Sequence, residues 1–240
     1  MKRYLIFGGT SGIGLDLSKR LIKNGHEVHI IGRNFEEIEK IESKNIYKHH
    51  IEIKSFNELD IFFKTKFFGK VKFDGVVNSI GVERFKFLRM TTNDDIDEIF
   101  MPAINTMLAI LKYSCKKEFL NDNSSIITMS SVSAFKGKMG MALYGSARAT
   151  LESLVIHATE ELAQKNIRVN AIRAGAVETP MHFRATKSMS DKQLEEFEKS
   201  HPLGFGDTKD ISNLILFLLS EESKWITGSI ITADGGYLSG

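Results

Sequence analysis

The sequence predicts an α/β fold: a doubly wound parallel sheet of about seven strands with helices on both faces. Three observations predict it. Short apolar runs, each the length of a buried strand, recur along the 240 residues and alternate with segments of helical periodicity. The first run enters a glycine-rich turn, Gly8-Gly-Thr-Ser-Gly12-Ile-Gly14, which opens directly into a helix. No internal repeat, low-complexity stretch or linker interrupts the alternation, so one domain over residues 1–240 is expected.

Composition sets the class. Apolar residues make up 42% and charged residues 26%, as in ordinary soluble globular proteins. A net charge of +2 gives no bias toward nucleic acid or an anionic membrane, and neither is expected as a partner. Cys115 is the single cysteine, which leaves no intrachain disulfide and fits a reducing, cytoplasmic setting. No apolar run approaches the roughly 20 residues that span a bilayer. The apolar part behind the charged Met1-Lys-Arg is too short for a signal peptide and reads as a strand.

Taken in order, residues 4–7 are the first strand, and the glycine turn leads into a helix that Gly25 stops. Strand, glycine turn, helix is the context in which such glycines let the backbone approach a pyrophosphate, with free N–H groups at the helix N-terminus. The spacing is G-x-x-x-G-x-G rather than G-x-G-x-x-G, and a plain tight turn is the other reading. Residues 27–31 are the second strand, ending at Gly32-Arg33-Asn34. An acidic side chain here would bond a ribose 2′-hydroxyl; Gly32 leaves room instead, and Arg33 suits a 2′-phosphate, so NADP(H) is favoured with NAD(H) possible.

Residues 46–53 alternate as a third strand; His49 and His50 lack a cysteine or spaced histidine partner, so no metal site is expected. Residues 56–72 place Phe62, Phe63, Phe67 and Phe68 among lysines, which fits a core-packed helix with a wet face better than a membrane-surface helix. Residues 73–80 are the fourth strand. A capped helix from Thr91 to about Lys117 is expected to kink at Pro102. The fifth strand covers 124–131, a long amphipathic helix 142–165 and the sixth strand 167–172. A polar helical pattern covers 186–200, a further helix 207–219 and a last strand 229–232.

The long helix carries Tyr144 and Arg148, four residues apart and therefore on one face. A phenol exchanges a proton, and a nearby cation favours the phenolate. A free tyrosine titrates near pH ~10, so work near neutrality needs a shift of roughly three units, or about 4 kcal/mol. A positive charge in a poorly solvated cleft supplies much of that. Alone, the same pair fits a solvated helix face.

Together these residues resemble the short-chain dehydrogenase/reductase family over essentially the whole chain, and most of all its 3-oxoacyl-carrier-protein reductase branch. The resemblance rests on the glycine turn, Asn78-Ser-Ile-Gly81, Ile127-Thr-Met-Ser-Ser131, Tyr144-x-x-x-Arg148, Arg168-Val-Asn-Ala-Ile and Thr179-Pro-Met. Pro202-Leu-Gly, Asp210-Ile-Ser-Asn and Trp225-Ile-Thr-Gly with Ala233-Asp-Gly-Gly complete it. It implies a Rossmann-type seven-stranded sheet, a nicotinamide cofactor, a small carbonyl or alcohol substrate and a homotetramer or homodimer. By position, Gly8, Gly12 and Gly14, with Ser11 and Ile13 in the same turn, would line the cofactor phosphates. Thr10 and Arg33 would face the adenosine end, and Asn78 and Gly81 would flank the adenine ribose. Val177 and Thr179 would hold the carboxamide. Ser131, thirteen residues before Tyr144, would bond the substrate carbonyl, and Tyr144 would donate the proton.

Departures from the family pattern bear on activity. Arg148 stands where the family has a lysine that holds the nicotinamide ribose and passes protons to water. Arginine keeps the charge but stays protonated, so it relays nothing. Pro102 stands where the family has an asparagine, with Asn105 one turn on as a possible substitute. Ser79-Ile80 replaces Asn-Ala, Ala174 a proline, Glu52 an aspartate and Phe7 a threonine. Two readings follow. One is an active NADP(H)-dependent carbonyl reductase or alcohol dehydrogenase using Ser131, Tyr144 and Arg148. The other is a nucleotide-binding regulator or scaffold with little turnover, motivated by Arg148 and Pro102. Residues 181–201 are expected to cover the pocket, with Met139, Met141, Met181 and Phe183 as a candidate apolar wall.

Overall fold

The computed structural model describes residues 1–239. Among them seven strands form one sheet: β1 (Arg3–Phe7), β2 (Glu27–Gly32), β3 (Ile46–His50), β4 (Phe73–Asn78), β5 (Leu120–Ser131), β6 (Arg168–Ala174) and β7 (Ile230–Ala233). Every ladder is parallel and the order is β3-β2-β1-β4-β5-β6-β7. The chain winds outward from β1 to β3, then returns to lay β4 on the other side of β1. That reversal opens a crevice at the carboxyl ends of β1 and β4.

The helices are α1 (Gly12–Lys23), α2 (Glu36–Glu39), α3 (Phe56–Lys66), α4 (Asn93–Asp95), α5 (Met101–Ser114), α6 (Ala142–Ala163), α7 (Pro180–Thr186), α8 (Asp191–Lys199) and α9 (Thr208–Leu219). On one face α3, α5 and α6 bury Phe63, Phe67, Tyr113, Leu151 and Val155 against Phe73 and Ile126 of the sheet. On the other, α1 and α9 bury Leu17, Leu21, Ile211, Ile215 and Leu218 against Ile6, Val77 and Ile127. Strands covered on both faces read as continuous apolar runs, the pattern the sequence carries. Phe62, Phe63 and Phe67 are buried, so this phenylalanine-rich segment packs on the core. Among the described residues no helix is long and apolar enough to cross a membrane.

Three elements differ from expectation. β5 starts four residues early, and its pairing with β4 skips from Phe73–Leu120 to Gly75–Ser125. Asn123, at φ 62°, takes the left-handed turn inside that skip. The 186–200 pattern narrows to α8, capped by Ser190, and a separate short helix, α7, capped by Thr179, precedes it. The segment around Pro102 is not one kinked helix. A π-helical turn over Ile96–Phe100 follows α4, and α5 restarts with Pro102 in its first turn. A proline there lacks an N–H that has no intrahelical partner in any case, and the wider turn carries the chain past its ring.

On β1–β3, Arg3 ion-pairs with Glu27, Glu27 meets His29 Nε2 at 3.0 Å, and His29 Nδ1 meets His49 Nε2 at 3.0 Å. Burial, then the charges of His29 and Lys66, push His49 down to about 4 from its ordinary 6.5. Its folded value lies below its unfolded one. The stability it contributes is complete above pH 6.5 and is lost as pH falls toward 4. Urea midpoints of the wild type should therefore fall across that window, and His49→Phe should flatten the slope. An unchanged slope in the variant would assign the acid sensitivity elsewhere.

Candidate active site

The crevice begins at the glycine turn. Gly8 and Gly12 adopt φ 76° and 50°, backbone that other residues rarely tolerate. A Cβ on Gly14 would lie 2.3 Å from the Gly8 carbonyl oxygen. Ser18 Oγ donates to the carbonyls of Gly9 and Gly14 at 3.2 and 2.8 Å and ties the turn to α1. Ser11 caps α1 in position but makes no side-chain bond to it. The first N–H groups of α1, beside Ser11 and Ile13, therefore have no side-chain acceptor from the cap. Thr10 lies against Gly32 so closely that a Cβ there would come within 2.4 Å of its methyl. Arg33 is exposed beside it, with no ion pair among the described residues.

Asn78 ends β4 beside the crevice. It is fully buried; its amide donates to Thr128 Oγ1 at 3.3 Å and its oxygen accepts from Ile80 N at 3.3 Å. Its side chain holds the ends of β4 and β5 together. Ser79, the replacement for an asparagine, donates to the Phe7 carbonyl at 2.9 Å and packs under Gly8 and Gly14.

α6 brings the phenol and the guanidinium to this end of the sheet. Its first turn is pressed on the 3₁₀ turn Val132–Ala134 that follows Ser131: a Cβ on Gly145 would be 2.4 Å from Ser133 O. Below, Glu152 of α6 receives both Nε (3.0 Å) and Nη2 (2.7 Å) of Arg173 and the hydroxyl of Ser130 (2.7 Å). That bidentate pair locks α6 to β5 and β6. Tyr144 is 7% and Arg148 4% exposed, and the guanidinium carbon stands 4.9 Å from the phenol ring centroid. Arg148 Nη1 donates to the carbonyls of Ile80 and Met129, both at 3.0 Å. Nη2 fills the space over Gly81, where a Cβ would sit 1.4 Å from it. Nε is buried without a partner among the described residues. Ser131 Oγ accepts from Ser133 N at 3.2 Å at the tip of β5 and keeps its own proton to donate.

From the other side, Thr179 caps α7 by accepting from His182 N at 3.2 Å, and its methyl lies 3.3 Å from a Cβ placed on Gly12. Val177, buried, pairs with Gly206. The structure thus gathers Gly12, Ser131, Tyr144, Arg148 and Thr179 from four segments around one crevice. The expected apolar wall is thinner. Met141 packs with Tyr144, but Met139 and Phe183 are 74% and 58% exposed. Asn105 does not replace the family asparagine; it lines an outer groove between α5 and α6 with Leu108 and Leu154. Two participants escaped sequence reading: the Ile80 and Met129 carbonyls that hold Arg148. A backbone acceptor leaves no mark in sequence.

These residues fit a dinucleotide. The glycine cradle has no room for a Cβ, the adjoining helix end offers N–H groups, and a buried guanidinium keeps an unpartnered Nε beside the phenol. Fold and site together define a nucleotide-binding α/β protein whose ligand end lies at the strand-order reversal. A family model described as enoyl-(acyl carrier protein) reductase matches residues 8–238. The chain belongs to the short-chain dehydrogenase/reductase family, a class of oxidoreductases. It is 30% identical to carbonyl reductase family member 4 of Xenopus laevis, covering 96% of this chain and 95% of that one. It is 32% identical to a 3-oxoacyl-[acyl-carrier-protein] reductase of Chlamydia pneumoniae, over 98% and 96% of the two chains. Among solved structures, ElxO with NADP bound superposes with a TM-score of 0.84 at 26% identity and full coverage of both chains.

Proposed function

We propose that the protein is an NADP(H)-dependent reductase of carbonyl compounds, 3-oxoacyl thioesters among them, working reversibly on the alcohols. The observation that supports it most is the convergence of Tyr144, Arg148 and the Ser131 hydroxyl on the glycine-turn crevice. Gly8, Gly12 and Gly14, with Ser11, Ile13 and the α1 N-terminus, would hold the pyrophosphate, Thr10 and Arg33 the 2′-phosphate, and Val177 and Thr179 the carboxamide. Gly81 and the Asn78 backbone would border the ribose. Bound nicotinamide supplies the hydride. Ser131 donates to the substrate oxygen, and Tyr144 donates to the same oxygen and gives up its proton as that oxygen gains charge. Arg148 steadies the phenol from the ring face, and its anchorage on two carbonyls holds both groups still.

Mixing the protein with NADPH and a panel of ketones, 3-oxoacyl thioesters and quinones, and following reduced-cofactor absorbance, tests this. Tight NADPH binding without consumption at high protein would favour the binding-protein reading. Arg148→Lys is the companion experiment. A lysine is shorter than the arginine whose Nη1 meets both carbonyls and leaves empty the space over Gly81 that Nη2 fills, so stability should fall by about 1–3 kcal/mol. The turnover number should change by roughly tenfold while NADPH affinity stays within about threefold. A large loss of turnover would show that the site is adapted to its arginine.

The protein works in the cytoplasm as a homodimer or homotetramer. Supporting the assembly are the groove of about 500 Å³ between α5 and α6, where Leu108 is 39% exposed, and Ile156 of α6, which is 55% exposed. Light scattering should give a dimer or tetramer, and Leu108→Glu should shift it toward monomer.

A further inference from the structure

We propose that Glu152 is a positioning residue for the reaction: it fixes Ser131 and Tyr144 relative to each other, so that both hydroxyls meet one substrate oxygen. This rests on the reductase reading above. The two hydroxyls come from different elements, Ser131 from the tip of β5 and Tyr144 from the first turn of α6. No hydrogen bond joins them among the described residues; Ser131 Oγ is engaged only by Ser133 N. Their separation is therefore set by the frame around them. A misplacement of about 1 Å between such groups costs roughly 100-fold in rate.

Glu152 stands where that frame crosses. Tyr144, Arg148 and Glu152 follow one another at four-residue steps and share one face of α6. Ser130 and Arg173 are partners in register on β5 and β6, so both side chains leave the sheet on the same side. They converge on the buried Glu152 carboxylate. Oε1 accepts from Ser130 Oγ at 2.7 Å and from Arg173 Nε at 3.0 Å, and Oε2 accepts from Arg173 Nη2 at 2.7 Å. This grips the residue just before Ser131. The same guanidinium also supports the residues after it, its carbon standing 4.9 Å from the Phe135 ring centroid. Phe135 N and Lys136 N donate to the Val132 carbonyl at 3.0 and 2.8 Å, which closes the turn whose Ser133 N–H orients the Ser131 hydroxyl. One carboxylate thus holds the helix that carries the phenol, the strand residue before the serine and, through Arg173, the turn behind it.

Stability alone does not call for this arrangement. A buried ion pair is a weak source of folding energy, and apolar side chains of similar volume serve a fold as well. What they lack is direction, because the guanidinium–carboxylate fork fixes an angle and a distance together. Glu152 acts through Ser131 and Tyr144 and exchanges no proton with the substrate. Its loss should therefore lower kcat and kcat/KM together, the mark of an interaction that matters in the transition state and not in ground-state binding.

The test compares wild type, Glu152→Gln and the double variant Glu152→Leu with Arg173→Met. Glutamine turns an amide N–H₂ toward the guanidinium and breaks the fork. With a panel carbonyl, kcat of Glu152→Gln should drop about 10- to 100-fold. KM should stay within about threefold and NADPH affinity within about twofold. Because Arg173 is left without its counter-charge, the thermal midpoint should also fall. The double variant removes both charges, so it should recover the midpoint but not the rate. In the cofactor-free protein, hydrogen exchange should quicken at residues 131–136 of the double variant, while the buried part of β5 exchanges as in the wild type. A Glu152→Gln variant with kcat within twofold of wild type overturns the proposal. So does a double variant that recovers midpoint and rate together, which marks a merely structural role, or wild-type exchange at residues 131–136. A wild type that consumes no NADPH with any carbonyl removes the reductase reading and this proposal together, whereas a faulty Glu152 assignment leaves wild-type turnover intact.

Discussion

Tyr144→Phe should lower kcat/KM for carbonyl reduction by roughly 10²- to 10⁴-fold, the usual weight of a positioned general acid. The fold should not notice. The phenol oxygen makes no hydrogen bond among the described residues, so its loss leaves no partner orphaned. The ring stays buried against Met141 and Ile99, and the guanidinium keeps an aromatic face beneath it. NADPH affinity should stay within about threefold, and the thermal midpoint should be that of the wild type. Calorimetric NADPH titration beside the steady-state assay separates the two effects. A phenylalanine variant that retains activity within tenfold (about 1.4 kcal/mol of barrier) would move the proton donor to another group.

Gly14→Ala is expected to do the reverse, sparing the chemistry in principle while removing the place where the cofactor sits. Its Cβ would lie 2.3 Å from Gly8 O, 2.9 Å from Gly8 C and 2.6 Å from Ser79 Oγ. Two of those three atoms are backbone, so the turn itself must move. Overpacking of this kind costs about 1–3 kcal/mol of stability. The N–H groups at the start of α1 move with the turn, so NADPH affinity should fall by about 10- to 100-fold, or about 1.4–2.8 kcal/mol. Gly137→Ala is the control. Nothing lies within 4 Å of a Cβ there, so its stability should stay within about 0.5 kcal/mol of wild type. If Gly14→Ala binds NADPH as the wild type does, the pyrophosphate is not held at this turn.

Much of the fold was legible in the chain because buried parallel strands leave continuous apolar runs, as residues 4–7 and 27–31 do. Turn chemistry marked the rest: glycines open α1, and Asp207, read as a helix start, caps α9 by accepting from Lys209 and Asp210. Legibility failed where partner geometry, not local pattern, decides. The start of β5 precedes a break in pairing with β4 that no periodicity signals. The 91–117 segment reads as helix throughout, and only packing decides that its π turn falls just before Pro102.

The candidate site divides in the same way. Tyr144 and Arg148 share a helix face because helical geometry alone puts them there, and the glycines of the first turn announce close backbone approach by having no side chains. Sequence could not say where the guanidinium goes. Its destination, the carbonyls of Ile80 and Met129, lies 68 and 19 residues away along the chain. It could not turn Asn78 inward toward Thr128 or send Asn105 to an outer groove. Local spacing determines which groups share a face. Which way a long polar side chain points depends on acceptors and neighbours that only the folded chain assembles.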